Sequence, residues 1–215
     1  LWPNKGDYDF NDLVVDYNFN QVTNADNKVV EVKAVLTVRA NSAAMKNEFS
    51  LQFNTTSSNV KSVTGQNLSN DVFALNSKGT EVNQSKAVVP IFDDPFKGLN
   101  SSGSNGAPKT MKVKIEFITP VSVSNFGTAP YNPFLVIGGV RGKEIHLAGS
   151  APTDLADKSK FGTADDDSNL AAQKYYISDE NLPWAINIPL QFAYPLEKQD
   201  ITKAYLKFNQ WAESR

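Results

Sequence analysis

The sequence predicts an all-β fold, an antiparallel β-sandwich of jelly-roll-like form with a short C-terminal helix, and three observations carry that expectation. Apolar and polar residues alternate with a period of two over several separate runs, turn-forming residues punctuate the chain between them, and nothing resembles the strand-helix-strand alternation of an α/β fold. The chain has 215 residues, 40% of them hydrophobic and 11% aromatic. That is enough to bury a sizeable core, and the length suits a single β-sandwich domain spanning residues 1–215.

The elements follow in order. Val14 to Phe19 is rich in β-branched and aromatic residues and reads as a strand. Val30, Val32, Ala34, Leu36 and Val38 then alternate with Glu31, Lys33, Val35, Thr37 and Arg39, which puts one face in the core and the other in water. Ser42 to Lys46 reads as a turn or two of helix between this strand and the next. Phe49, Leu51 and Phe53 alternate with Ser50, Gln52 and Asn54, and Val113, Ile115 and Phe117 alternate with Lys112, Lys114 and Glu116, so both runs predict half-buried antiparallel strands. The polar, glycine-rich stretch from Leu99 to Pro108 between them reads as a mobile loop.

Further on, Phe134 to Ile137 and Glu144 to Leu147 flank Gly138-Gly139-Val140-Arg141-Gly142, a hairpin with a glycine-rich turn. Trp184 to Ile188 supplies a late strand that ends at Pro189. Last, Ile201, Ala204, Tyr205, Phe208 and Trp211 share one helical face, with Asp200 where an N-cap belongs.

Charge and composition remove several function classes. A formal net charge of −2 and scattered lysines give no basic field for nucleic acid. No apolar run approaches a bilayer span, and the absence of cysteine rules out a disulfide scaffold.

The chemistry-bearing motif is at the start. Asp7, Asp9 and Asn11 stand at alternate positions, with Asp12 following, which is the opening spacing of a calcium loop. The pattern departs from the helix-loop-helix version, because Asp12 replaces its turn glycine and Asn18 its bidentate glutamate. Three carboxylates within six residues repel one another unless a cation compensates, and Lys5 alone is a poor compensator. Calcium takes six to eight oxygens, so Asp7, Asp9, Asn11 and Asp12 need a carboxylate from elsewhere. Asp93, Asp94, Asp165 and Asp166 are the favoured candidates, since each pair lies in a loop beside Pro or Gly, and Asp154, Asp157 and Asp167 are further ones. Zinc does not fit a chain with one histidine and no cysteine, and magnesium prefers more water and fewer protein oxygens.

No catalytic constellation stands out. His146, the sole histidine, reads as a surface or structurally satisfied residue, and no nucleophile elbow is present. Trp2, Trp184, Tyr131, Tyr175 and Tyr176 offer material for a sugar-stacking platform, which keeps a carbohydrate-binding or glycoside-cleaving sandwich as the alternative; core packing is the simpler use of these rings. The expectation is a non-catalytic, calcium-stabilised extracellular or cell-surface module for adhesion, assembly or ligand capture, with a surface protein or glycan as partner.

The opening run from Leu1 through Asp12 to Tyr17 resembles the signature of the LruC-domain family of exported bacterial proteins. Asn132 to Leu147, Pro152 to Ala156 with Phe161-Gly162-Thr163, and Asn181 to Ile186 leading to Trp211 through Ser214 agree with it, so the resemblance spans nearly the whole chain. It implies a secreted or surface lipoprotein of Bacteroides-like or spirochaete-like origin, with a calcium-like site at Asp7, Asp9, Asn11 and Asp12. The family's short apolar and acidic run before Leu-Trp-Pro is missing, which implies a domain of a longer exported protein. Ala148 stands where the family tends to have proline, a difference expected to alter one turn.

Overall fold

The computed structural model describes residues 2–43, 45–69, 71–97 and 108–214. Its strands are β1 (Val14–Thr23), β2 (Lys28–Ala40), β3 (Asn47–Phe53), β4 (Val60–Thr64), β5 (Ala87–Phe92), β6 (Lys109–Ser122), β7 (Asn132–Ile137) and β8 (Glu144–His146), with short helices α1 (Val123–Phe126) and α2 (Phe208–Glu213). They form two four-stranded sheets, ordered β1-β2-β6-β4 and β5-β3-β7-β8, and every ladder is antiparallel. The two sheets pack as a β-sandwich. The predicted glycine-rich loop falls almost wholly at 98–107, outside the described residues.

The period-two pattern builds the core directly. Val32, Ala34 and Leu36 of β2 pair with Ile115, Val113 and Met111 of β6, and all face Leu51, Phe53, Val89 and Ile91 of the opposite sheet. One residue departs from the predicted alternation. The register of β2 slips between Val29 and Glu31, so Val29 is fully buried while Val30 is only half-buried. An extra residue in a ladder reverses the facing of whatever follows, and here it recruits Val29 to the core. Phe53, Phe117, Phe126 and Tyr131 close one end of the core, with ring centroids 4.8 to 6.5 Å apart. At the end of β4, Gly65 adopts φ +88°, and a Cβ there would lie 2.0 Å from the Lys112 carbonyl oxygen, so the close approach to β6 requires glycine.

Four expectations about the elements need correction. β3 is not half-buried: Glu48, Ser50 and Gln52 on its second face are as enclosed as Leu51 and Phe53. The outer face of this sheet carries a cover of its own, in which Phe73 with Leu68 and Val72 packs on Val88, Phe134 and Val136, and Trp2, Tyr176, Phe161 and Trp184 pack with Ile137 and Ile145. Trp184 to Ile188 is no strand. Prolines at 183 and 189 each remove a ladder donor, and Trp184 instead donates its indole N–H to Asp166 at 2.8 Å.

The predicted C-terminal helix is broken into a 3-10 turn (Ile201–Lys203) and α2. Asp200 does cap its start, accepting from Thr202 N at 2.8 Å. Helical continuity yields at Tyr205, which stacks on Phe192 and accepts the Ala193 N–H at its hydroxyl, so tertiary contacts override a short segment of modest propensity. The described residues between Ser42 and Lys46 form no helix either. Ser42 N donates to Asn11 O at 3.2 Å, and Lys46 O accepts from Gly138 N at 2.7 Å, which ties this link to the N-terminal loop and to the hairpin turn.

Candidate metal centre

The loop from Gly6 to Asp12 leads straight into β1, and two of its bulky residues, Tyr8 and Phe10, have left-handed φ values of 54° and 55°. That conformation is unfavourable for aromatic residues and persists only where neighbours enforce it. The enforcing contacts are visible. Tyr8 stacks against Trp184 and Phe10 packs on Phe208, with centroids 6.3 and 5.5 Å apart. Tyr8 O accepts from Ile201 N at 2.9 Å.

The residues just before Ile201 close over the loop. Lys198 N donates to Asp9 Oδ2 at 3.0 Å, Asn11 N donates to Asp9 Oδ1 at 3.3 Å, and the Asn11 amide donates to Pro195 O at 3.3 Å. This clasp delivers Glu197. One carboxylate oxygen each from Asp7, Asp9 and Glu197 lies within 4.8 Å of the others. Oxygens bound to one calcium ion at about 2.4 Å can stand up to about 4.8 Å apart, so the spacing suits that ion.

The donor set fits a hard cation in two further respects. Asp9 is buried, and each of its oxygens accepts one backbone N–H, which leaves lone pairs on both. Asn11 is also buried, and its Oδ1 has no hydrogen-bond partner among the described residues. Asp12 stands outside the trio and is exposed. Its carboxyl is nonetheless raised to about 6, first by withdrawal from water and then by the nearby charges of Asp9, Asp7 and Glu197. Lys5 gives no relief, because its Nζ sits 3.2 Å from Asp179 and 2.8 Å from Glu180. Among the described residues no Lys or Arg pairs with Asp7, Asp9, Asp12 or Glu197.

The acids favoured from sequence as distant ligands are engaged elsewhere. Asp93 accepts from Ser69 N and Oγ, Asp94 pairs with Lys46 at 2.9 Å, and Asp165 accepts from Lys5 N at 2.7 Å. Asp166 is buried and accepts from Gly162 N, from Ser168 and from the Trp184 indole. Asp154 accepts from Ser85 N and Asp157 from Ser159. Glu197 was the acid missed. Pro195, two residues before it, is the same loop signal that favoured the others.

The aromatic residues put forward for sugar stacking mostly face inward. Trp2 and Tyr176 are buried, Tyr131 belongs to the core end, and Trp184 lies between Tyr8 and Asp166. Apolar side chains gather instead near the C terminus, where half-buried Ile186, Phe192 and Tyr205 and exposed Leu206 and Trp211 line a cleft of about 520 Å³.

Residues 27–215 match the family described as Domain of unknown function (DUF4842). The chain belongs to the DUF4842 family. The DUF4842 match includes Glu197 and begins after the Asp7 to Asp12 loop. No curated protein and no solved structure matches the chain. No helix among its described residues is long and apolar enough to cross a membrane.

Proposed function

We propose that this DUF4842 chain is a non-catalytic module stabilised by calcium, whose ion ties the N-terminal loop to the segment carrying Glu197. The observation that carries the reading is the convergence of Asp7, Asp9 and Glu197, from segments about 190 residues apart, with no protein cation paired to them among the described residues. The buried Asn11 oxygen without a partner supports it. The ion acts by folding linkage: it binds the clasped form and so stabilises it. At extracellular millimolar calcium, a site with a dissociation constant around 10⁻⁴ M adds about 1 to 2 kcal/mol. In this reading the module works outside the cell or on its surface, where calcium reaches that level, in adhesion, assembly or ligand capture, as the resemblance to LruC-domain proteins implies.

Absence of catalysis is part of the proposal. His146 is sealed beneath the cover of its sheet, out of reach of a substrate. The test is a thermal melt in EDTA and then in calcium, magnesium or manganese, alongside a calorimetric calcium titration. A calcium-specific rise that disappears in the Asp7→Asn, Asp9→Asn double variant is the expected result. An unchanged melt in calcium would leave the acids as turn residues and return attention to carbohydrate.

A further inference from the structure

The edge of a sheet presents a row of main-chain N–H and C=O groups, and three of the four edges in this sandwich are guarded. β4 is five residues long, carries Lys61, slips register between Val60 and Ser62, and donates the Val63 N–H to the Lys78 carbonyl at 2.9 Å. β5 contains Pro90, and the β4-β5 connection covers its outer side, where Asn67 N donates to Ile91 O at 2.8 Å and Glu81 N to Val88 O at 2.9 Å. β8 has only three residues, all of them buried.

β1 is the fourth edge, and its central stretch has none of these devices. It runs for ten residues without proline or lysine, and its register irregularities fall at the two ends, between Val14 and Val15 and between Val22 and Thr23. Among the described residues its main chain bonds to β2 and to nothing else. Its one charged side chain, Asp16, lies 3.7 Å from Arg39. Val15, Tyr17, Phe19 and Gln21 stand opposite Val38, Leu36, Ala34 and Val32, the buried residues of β2, and so share the core face of the sheet. The aromatic pair there is incompletely covered, since Tyr17 is 38% exposed and Phe19 half-buried, with ring centroids 5.3 Å apart. A row of open N–H and C=O groups is matched in full by another extended backbone.

The sequence of β1 can supply that backbone to itself. Antiparallel pairing about a two-fold axis through Asn18 sets Tyr17 against Phe19 of the second copy, Asp16 against Asn20 and Val15 against Gln21. Each facing pair then lies on one face of the joined sheet, aromatic meets aromatic on the core side, and no like charges are opposed. An axis through Asp16 would instead set two aspartates against each other. We propose that β1 is a self-association edge, through which two copies of this chain join their β1-β2-β6-β4 sheets with Asn18 facing Asn18. No residue of the metal centre takes part, so failure of either reading leaves the other standing.

Sedimentation velocity of the whole chain in calcium, from about 10 μM to about 1 mM, should show a concentration-dependent dimer. A monomer throughout overturns the proposal and leaves the edge to a strand from another protein. The chain has no cysteine, so Asn18→Cys introduces the sole thiol. Facing residues of an antiparallel pair hold their Cα atoms about 4.5 to 5.5 Å apart, within disulfide reach, so mild oxidation should crosslink this variant into a dimer. Asn20→Cys, whose two copies stand several residues apart along the joined strands, should crosslink much less. Equal crosslinking at the two positions overturns the pairing. Asn18→Lys brings two ammonium groups face to face and should weaken the dimer roughly three- to tenfold at low salt, with recovery in high salt and no change in the melting of the monomer. Unaltered dimerisation in that variant also overturns the proposal.

Discussion

Two groups of acids in this molecule live under opposite rules. Glu81 and Glu144 are buried and are met inside the protein by Arg141. Asp7, Asp9 and Glu197 converge where two segments cross, and no protein cation meets them among the described residues. An anion closed off from water must bring its counter-charge with it, because an unpaired buried charge is too costly to keep. An anion cluster with two of its three carboxylates exposed can take its counter-charge from the medium, and then its stability depends on what the medium contains.

Breaking the internal group should have the largest effect. Arg141→Leu leaves Glu81 and Glu144 facing each other without their shared partner, and urea denaturation should show a loss of about 3 to 5 kcal/mol. The loss should be the same in calcium and in EDTA.

A carboxylate with no ion pair among the described residues sharpens the contrast. Glu48 is enclosed, accepts from Gly139 N, and is raised to about 7 by burial and by the charges of Asp93 and Asp94. Its folded value lies above its unfolded one, so its contribution is complete below about pH 4.5 and lost as pH rises through about 7. Glu48→Gln should match the wild type near pH 4 and exceed it by about 1 to 3 kcal/mol at pH 8 in chemical denaturation.

At the external group the effects should be smaller and conditional. Glu197→Gln should lower calcium affinity in calorimetry by roughly tenfold, about 1.4 kcal/mol, and leave the melt in EDTA unchanged or slightly higher, because it removes a like-charge repulsion. Smallest of all, Lys33→Ala on the open face of β2, where Lys33 pairs with Glu31 at 3.0 Å, should change stability by less than about 0.5 kcal/mol.

What the sequence made legible follows from the range of the forces involved. The alternation in β2, β6 and the β7-β8 hairpin is local, and those elements form where the pattern puts them. The cover over β3 is not local. Ser50 and Gln52 read as solvent-facing until chain from distant positions arrives to bury them. His146 shows the same limit, since alternation fixes which way it points but not that Tyr176, thirty positions on, will stack over it. Within the metal centre, Asp7 and Asp9 were marked by spacing alone. Glu197 has no spacing relation to them and is placed by the backbone N–H groups of Lys198 and Ile201, which donate to the Asp9 carboxylate and the Tyr8 carbonyl.

That clasp also sets a mechanical path. Tension entering through the chain before Tyr8 and leaving through the chain after Ile201 meets the Tyr8–Ile201 and Asp9–Lys198 hydrogen bonds before it reaches any sheet ladder. A cation shared by Asp7, Asp9 and Glu197 lies across the same junction, so calcium would set the force at which the two segments part while the sandwich behind them stays unloaded.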